Sequence, residues 1–200
     1  MSSWKTLFGH AESKTATPPP TSGVNGATAA QSSSPAPRVQ LRAEPKELSK
    51  AEAREMSRTK DFCVQGWNTY GAFENDVQDN KDGTVTERVT GLVWQQGGTP
   101  EEMNLKDAER YIAGLNQKRF AGHNDWRLPT LEEGLSLLRG FMNTDGLYIS
   151  RYFDARQKWI WTSDHIAHPV EAWDVNFLDG HAYCEHPDNV YYVRACRTAQ

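Results

Sequence analysis

Cysteine is scarce: Cys63, Cys184 and Cys196 are the only three in 200 residues. So sparse and odd a set does not make a disulfide framework. Long apolar runs are missing too, and none approaches the roughly 18–20 residues of a membrane span, so no transmembrane segment is expected. After Met1, the stretch from Ser2 to His10 has neither a sustained apolar core nor a small-residue cleavage pattern. The expectation is a cytoplasmic chain without an export signal. Large side chains are nearly absent from one end: residues 1–60 hold only Trp4 and Phe8 of the seven Trp, seven Tyr and seven Phe. Such a segment buries too little surface to offset its conformational entropy. Positive charge is deficient at the other end, where residues 61–200 carry 13 Lys and Arg against 21 Asp and Glu. An acidic folded region is a poor partner for nucleic acid or sulfated glycans, whose anionic groups need neutralising cations.

These absences divide the chain. Residues 1–60 read as a disordered Ser/Thr/Pro-rich tail, with Pro18-Pro19-Pro20 and Pro35-Ala36-Pro37 inside its most biased stretch. A charged helix over 45–57 is compatible with Pro45 in a first turn, but Leu48 and Met56 are too few to anchor it. Trp4, Leu7 and Phe8 stand at i, i+3, i+4, so one helical turn would offer a small apolar contact face; alone, so short a helix is marginal. Residues 61–200 form the domain.

Within the domain, Val77-Gln78-Asp79 and Thr84-Val85-Thr86 flank a turn at Asp82-Gly83, a β-hairpin pattern. Asp79 to Gly83 also has a calcium-loop flavour. Counting from Gly83 puts Gln78 and Val89 at the first and last ligand positions, and neither suits. Leu92 to Trp94 reads as a buried strand. Asn104 caps a helix over 105–116, and Thr130 with Glu133 has capping-box spacing for a second. After Gly146 the period changes to two, through Trp159, Trp161 and Ser163, then Trp173, Val175 and Phe177. Asp179-Gly180 is a hairpin turn, and a last strand is expected from Tyr191. Helices preceding a run of antiparallel strands make an α+β fold.

The motifs in this order resemble the C-terminal domain family of the Legionella collagen-like protein. They are Asp79 to Thr86, Thr90 to Trp94, His123 to Thr130 with Glu132-Glu133, Trp159 to Ser163, Ala172 to Phe177, and Tyr191 to Arg194. The resemblance spans roughly residues 72–197, and Asp125-Trp126-Arg127-Leu128-Pro129-Thr130 is its most specific piece. It implies a scaffold like the C-type lectins and formylglycine-generating enzymes. That scaffold hosts sugar binders, protein binders and an oxidase, so it does not fix a function. The chain lacks the founding member's collagen-like repeat.

The Trp126–Thr130 corner reads as architecture: Pro129 holds Leu128 extended, Thr130 starts a helix, and Trp126 enters the core. Binding residues are sought in the late strands, where polar and aromatic groups crowd positions 174–192. The candidates are Asp174, Asn176, Asp179, His181, Tyr183, Tyr191 and Tyr192, a set suited to a protein ligand or a neutral glycan. The alternative is a metal-dependent enzyme on the same scaffold. Cys184, His186 and Cys196 are its weak candidate ligands, on the premise that Cys196 lies on a strand beside Cys184. No cofactor motif is present, and no spacing pairs a nucleophile with a base.

Overall fold

The computed structural model describes residues 39–166 and 170–199. The Trp4-Leu7-Phe8 turn and the expected disorder of residues 1–38 lie outside the described residues. Among those described there are three α-helices and two antiparallel sheets.

The first sheet begins with the expected hairpin. Strands β1 (Val77–Asp79) and β2 (Thr84–Glu87) pair through a turn in which Lys81 and Gly83 have φ of 64° and 86°. The turn's polar groups are engaged with one another. Asp82 accepts from the Thr84 amide and hydroxyl at 2.9 and 2.6 Å, and Asn80 donates to the hydroxyls of Thr84 and Thr86. Strand β3 (Leu92–Gln95) lies between β2 and β7 (Cys196–Thr198) and is buried throughout.

The second sheet has the order β4 (Trp159–Ile166), β5 (Glu171–Asn176), β6 (His181–Glu185). Ile160, Trp173, Val175 and Ala182 join the main core with Leu131 and Leu135 of α3 (Leu131–Leu135). At Gly134 a Cβ would stand 2.8 Å from Val175 Cγ2, so glycine lets the helix approach β5. Side chains alternate along a strand. The opposite face of this sheet therefore carries Trp159, Trp161, Asp174, Asn176, Tyr183 and Glu185, with Asp174 in register between Trp161 and Tyr183.

Helix α2 (Leu105–Gln117) is capped by Asn104, whose side chain accepts from the Asp107 amide. Asn116 on α2 bonds the main chain of Trp126 twice, at 2.8 Å each, and the buried Trp126 indole donates to the Phe120 carbonyl. At the following corner Glu133 accepts from the Thr130 amide and receives both arms of Arg127, at 2.6 and 2.5 Å. The capping box expected at Thr130 and Glu133 is formed.

Two expectations need correction. The last strand starts at Cys196, not Tyr191, because the chain from 191 to 195 crosses between sheets. Tyr191 bridges to Met103, Tyr192 to Ile160 of the second sheet, and Cys196 to Trp94 of the first. No one neighbour persists long enough for a ladder.

The second correction concerns the domain boundary at Asp61, since residues 39–60 pack on the domain. Leu48 and Ala53 are core residues. Glu47 pairs in parallel with His165, and the Trp173 indole donates to the Leu48 carbonyl at 3.1 Å. The buried Asp164 carboxylate accepts from Arg42 at 2.8 and 2.5 Å, from the Lys46 amide at 2.7 Å and from the Leu131 amide at 2.8 Å. Helix α1 (Lys50–Thr59) follows, with a capping box between Ser49 and Glu52. The attachment is mainly polar, so the low apolar count underestimates it. Removing residues 1–60 should lower Tm by more than about 5 °C relative to the full chain, measured by calorimetry; an unchanged Tm would show that these contacts contribute nothing.

Candidate functional site

The outward face of the second sheet is partly roofed by the crossing segment. Tyr191 lies 4.5 Å from Trp161 and 6.4 Å from Trp159, ring centre to ring centre. Beside it is a recess of about 370 Å³. Five of the seven candidates line it: Asp174, Asn176, Asp179, Tyr183 and Tyr191. Trp159, Glu185 and Val190 complete the lining.

Each wall is held by its own fold element. The Trp159 indole donates to Glu102 Oε1 at 2.8 Å, which fixes the ring from the loop before α2. Asn176 Oδ1 accepts from the Leu178 and Asp179 amides and shapes the β5–β6 turn. Tyr183 donates to Asp179 at 2.7 Å, and that bond pushes its phenol up to about 12. Asn189 donates to Glu185 at 2.9 Å. Burial, followed by the charges of Asp174 and Glu185, raises the Tyr191 phenol. The lining contains neither Lys nor Arg.

Asp174 is the exception. It is 0 % exposed, and neither carboxylate oxygen has a hydrogen-bond partner among the described residues. Burial, then the charges of Glu185 and Asp179, push its carboxyl up to about 8. A buried acceptor without a partner is destabilising, and the raised affinity for a proton is the response that costs least.

The other candidates lie elsewhere. His181 sits outside the recess lining: Nδ1 is 2.6 Å from the Gln65 carbonyl, and its ring packs on Trp67 at 4.7 Å. Tyr192 pairs with Ile160 and packs against the core. Cys184 and Cys196 are not on neighbouring strands. Cys184 is on β6 of one sheet and Cys196 on β7 of the other, where Arg127 lies 3.2 Å from its sulfur. Burial pushes the Cys184 thiol up to about 12 and raises that of Cys196. His186 is exposed beside Asp188. Among the described residues no three His, Cys, Asp or Glu side chains gather as a metal-holding group. The sequence marks Trp159 only as part of a strand pattern; its place at the start of β4 puts it on the outward face, where Glu185, from the same crowded late-strand surface, joins it through its parity with Tyr183.

The raised carboxyl of Asp174 makes stability depend on pH. Between about 4, its unfolded value, and about 8 the folded chain keeps a proton that the unfolded chain has lost. Stability from this group is therefore greatest at acid pH and falls as pH rises through that window. Asp174→Asn removes the ionisation. The Tm of the variant minus that of the parent should increase from pH 5 to pH 9 in thermal melts. A difference that is flat or decreases would contradict the assignment.

No curated protein and no solved structure matches the chain. The sequence model of one family, described as the Lcl C-terminal domain, matches residues 83–197. The match runs from the turn of the first hairpin to the closing strand, and includes the capped corner and the whole outward face, so the chain belongs to the Lcl C-terminal domain family.

Proposed function

We propose that residues 39–199 form a binding module on a C-type-lectin-like scaffold, recognising a protein or a carbohydrate through the recess of the second sheet. The observation that carries this reading is Asp174, a buried carboxylate without a hydrogen-bond partner among the described residues, at a recess walled by Trp159, Tyr183 and Tyr191. Core residues on one face of β5 hold that group in place, and the other face presents it. Rigid aromatic rings supply contact area at little entropic cost, while the carboxylates and Asn176 supply directed hydrogen bonds. Aromatic faces with such groups suit a neutral sugar, and equally suit a peptide bearing Lys or Arg. A sulfated or phosphorylated ligand would meet Asp174, Asp179 and Glu185 without a cation in the lining. The lectin-like part of the reading rests on two antiparallel sheets, helices α1 and α3 at the inner core with α2 packed by Trp161, and a late segment that closes onto the first sheet.

The test is binding of the full chain to arrays of neutral glycans and of Lys- and Arg-containing peptides. Tyr183 is 41 % exposed, and its hydroxyl bonds only Asp179. Tyr183→Ala should therefore weaken capture by about 1–2 kcal/mol with little change in Tm. Undiminished capture by the variant would place the contact elsewhere.

A further inference from the structure

We propose that the recess is a site for an organic cation, an ammonium or guanidinium head on an alkyl stem, with Asp174 as its counter-ion. The proposal rests on the binding-module reading and states what chemistry enters the site.

Three carboxylates line the space, from separate parts of the fold. Asp174 comes from the central strand, Asp179 from the β5–β6 turn and Glu185 from β6. A fourth, Glu102, lies outside the lining and accepts from the Trp159 indole. The partners they do have among these residues are mostly neutral: the Tyr183 hydroxyl on Asp179, the Asn189 amide on Glu185 and the Trp159 indole on Glu102. Asp174 has none. Other buried carboxylates have their lone pairs filled: Asp164 is matched by Arg42, Glu133 by Arg127, and Glu87 accepts from the Asp76, Val89 and Thr90 amides and the Thr90 hydroxyl. The recess on the outward face of β5 is thus lined by carboxylates with no Lys or Arg among its described residues.

The walls fit the same guest. Trp159 and Tyr191 stand at an interplanar angle of 73°, and Tyr183 lies across the recess lining. Aromatic rings attract a cation through their electron-rich faces, most strongly when water is excluded. Val190 at the rim gives a methylene stem an apolar contact. A metal ion fits less well, since no three carboxylate, His or Cys ligands gather among the described residues.

Proton linkage follows from the groups that face Asp174: Glu185 and Tyr183 on β6, Asp179 in the turn, Tyr191 in the crossing segment, and Trp161, which is uncharged, on β4. Burial pushes the Asp174 carboxyl up to about 8, whereas pairing with an ammonium group requires its ionised form. Affinity therefore rises between about pH 6 and pH 8.

The experiment is an amide and indole NMR titration of the full chain at both pH values. Three probes are used: N-acetyl-lysine methylamide, n-butylammonium, and the neutral isostere N-acetyl-norleucine methylamide. Asp174→Asn is run alongside, its fold checked by its own spectrum and Tm. The expected result is a saturable shift of the Trp159 indole with both ammonium compounds and none with the norleucine compound. Affinity should fall about tenfold or more, the size of one charged contact, and lose its pH dependence in Asp174→Asn. Tighter binding of the lysine compound than of butylammonium identifies a peptide side chain as the source; the reverse identifies a free amine. No shift with either amine, an equal shift with norleucine, or an unaltered response of Asp174→Asn overturns the proposal. If the amines fail while a neutral glycan is captured and weakened by Tyr183→Ala, the binding-module reading stands and only the cation is wrong. If ligands captured by the arrays ignore Tyr183→Ala as well, both fail.

Discussion

Asp164 gathers four N–H donors from two separate stretches of chain, and the arrangement of the second sheet depends on it. Two donors belong to Arg42, one to the Lys46 main chain, and one to the first amide of α3. A carboxylate withdrawn from water costs several kcal/mol unless its charge is matched and its lone pairs filled. Here both conditions are met. Hydrogen bonds to a charged group are worth about 1.5–3 kcal/mol each, so the lowest-energy arrangement holds residues 42–46, the start of α3 and strand β4 together. The Leu48 and Trp173 contacts then close behind this junction. With its inner face fixed in this way, the sheet presents its other face in a defined position.

Asp174, on the next strand, is the counterexample. It is as fully buried as Asp164, yet no donor meets it among the described residues. Both aspartates lie on one sheet, so the difference is in what was supplied to each. Asp164 received a guanidinium and two helix or loop amides, whereas Asp174 received two tyrosines, two tryptophans and further carboxylates in its surroundings. Departures from local satisfaction in an otherwise consistent structure concentrate at functional positions. Arg194 is a second departure of opposite sign. It is buried against Phe153 and Phe177, donates to the Asp154 carbonyl and Gln157, and is pushed down to about 9 by burial. Its bonds to Asp154 and Gln157 tie the crossing segment to the loop before β4.

What could be read from the sequence was what short-range chemistry decides. The Asp82-Gly83 turn, the Asn104 cap, the Thr130–Glu133 box and the Asp179-Gly180 turn each involve residues within four positions, and all are formed. Alternation along β5 and β6 also brings Asp174, Asn176 and Tyr183 to one recess, because parity is a property of the strand itself, and the turn between the strands adds Asp179. Long-range pairings could not be read. Arg42 and Asp164 are 122 residues apart, and nothing local to either announces the other, so the segment before Asp61 looked detachable. Cys184 and Cys196 were expected on neighbouring strands because both are late in the chain. The crossing between sheets separates them, and it also delays β7 to Cys196. That Asp174 lacks a partner, and that Trp159 walls its recess, depends on the packing of the segment after Val190 and on no local pattern.

The recess is built around Asp174 only if that carboxyl lacks a partner, and the most direct measurement is the titration of its carboxyl carbon by 13C NMR in the ligand-free full chain. The structure predicts a midpoint near 8, shifted downward when an alkylammonium is added. A midpoint in the ordinary carboxyl range, about 4, unmoved by the amine, would mean that the group already has a partner and that the recess is not built around it.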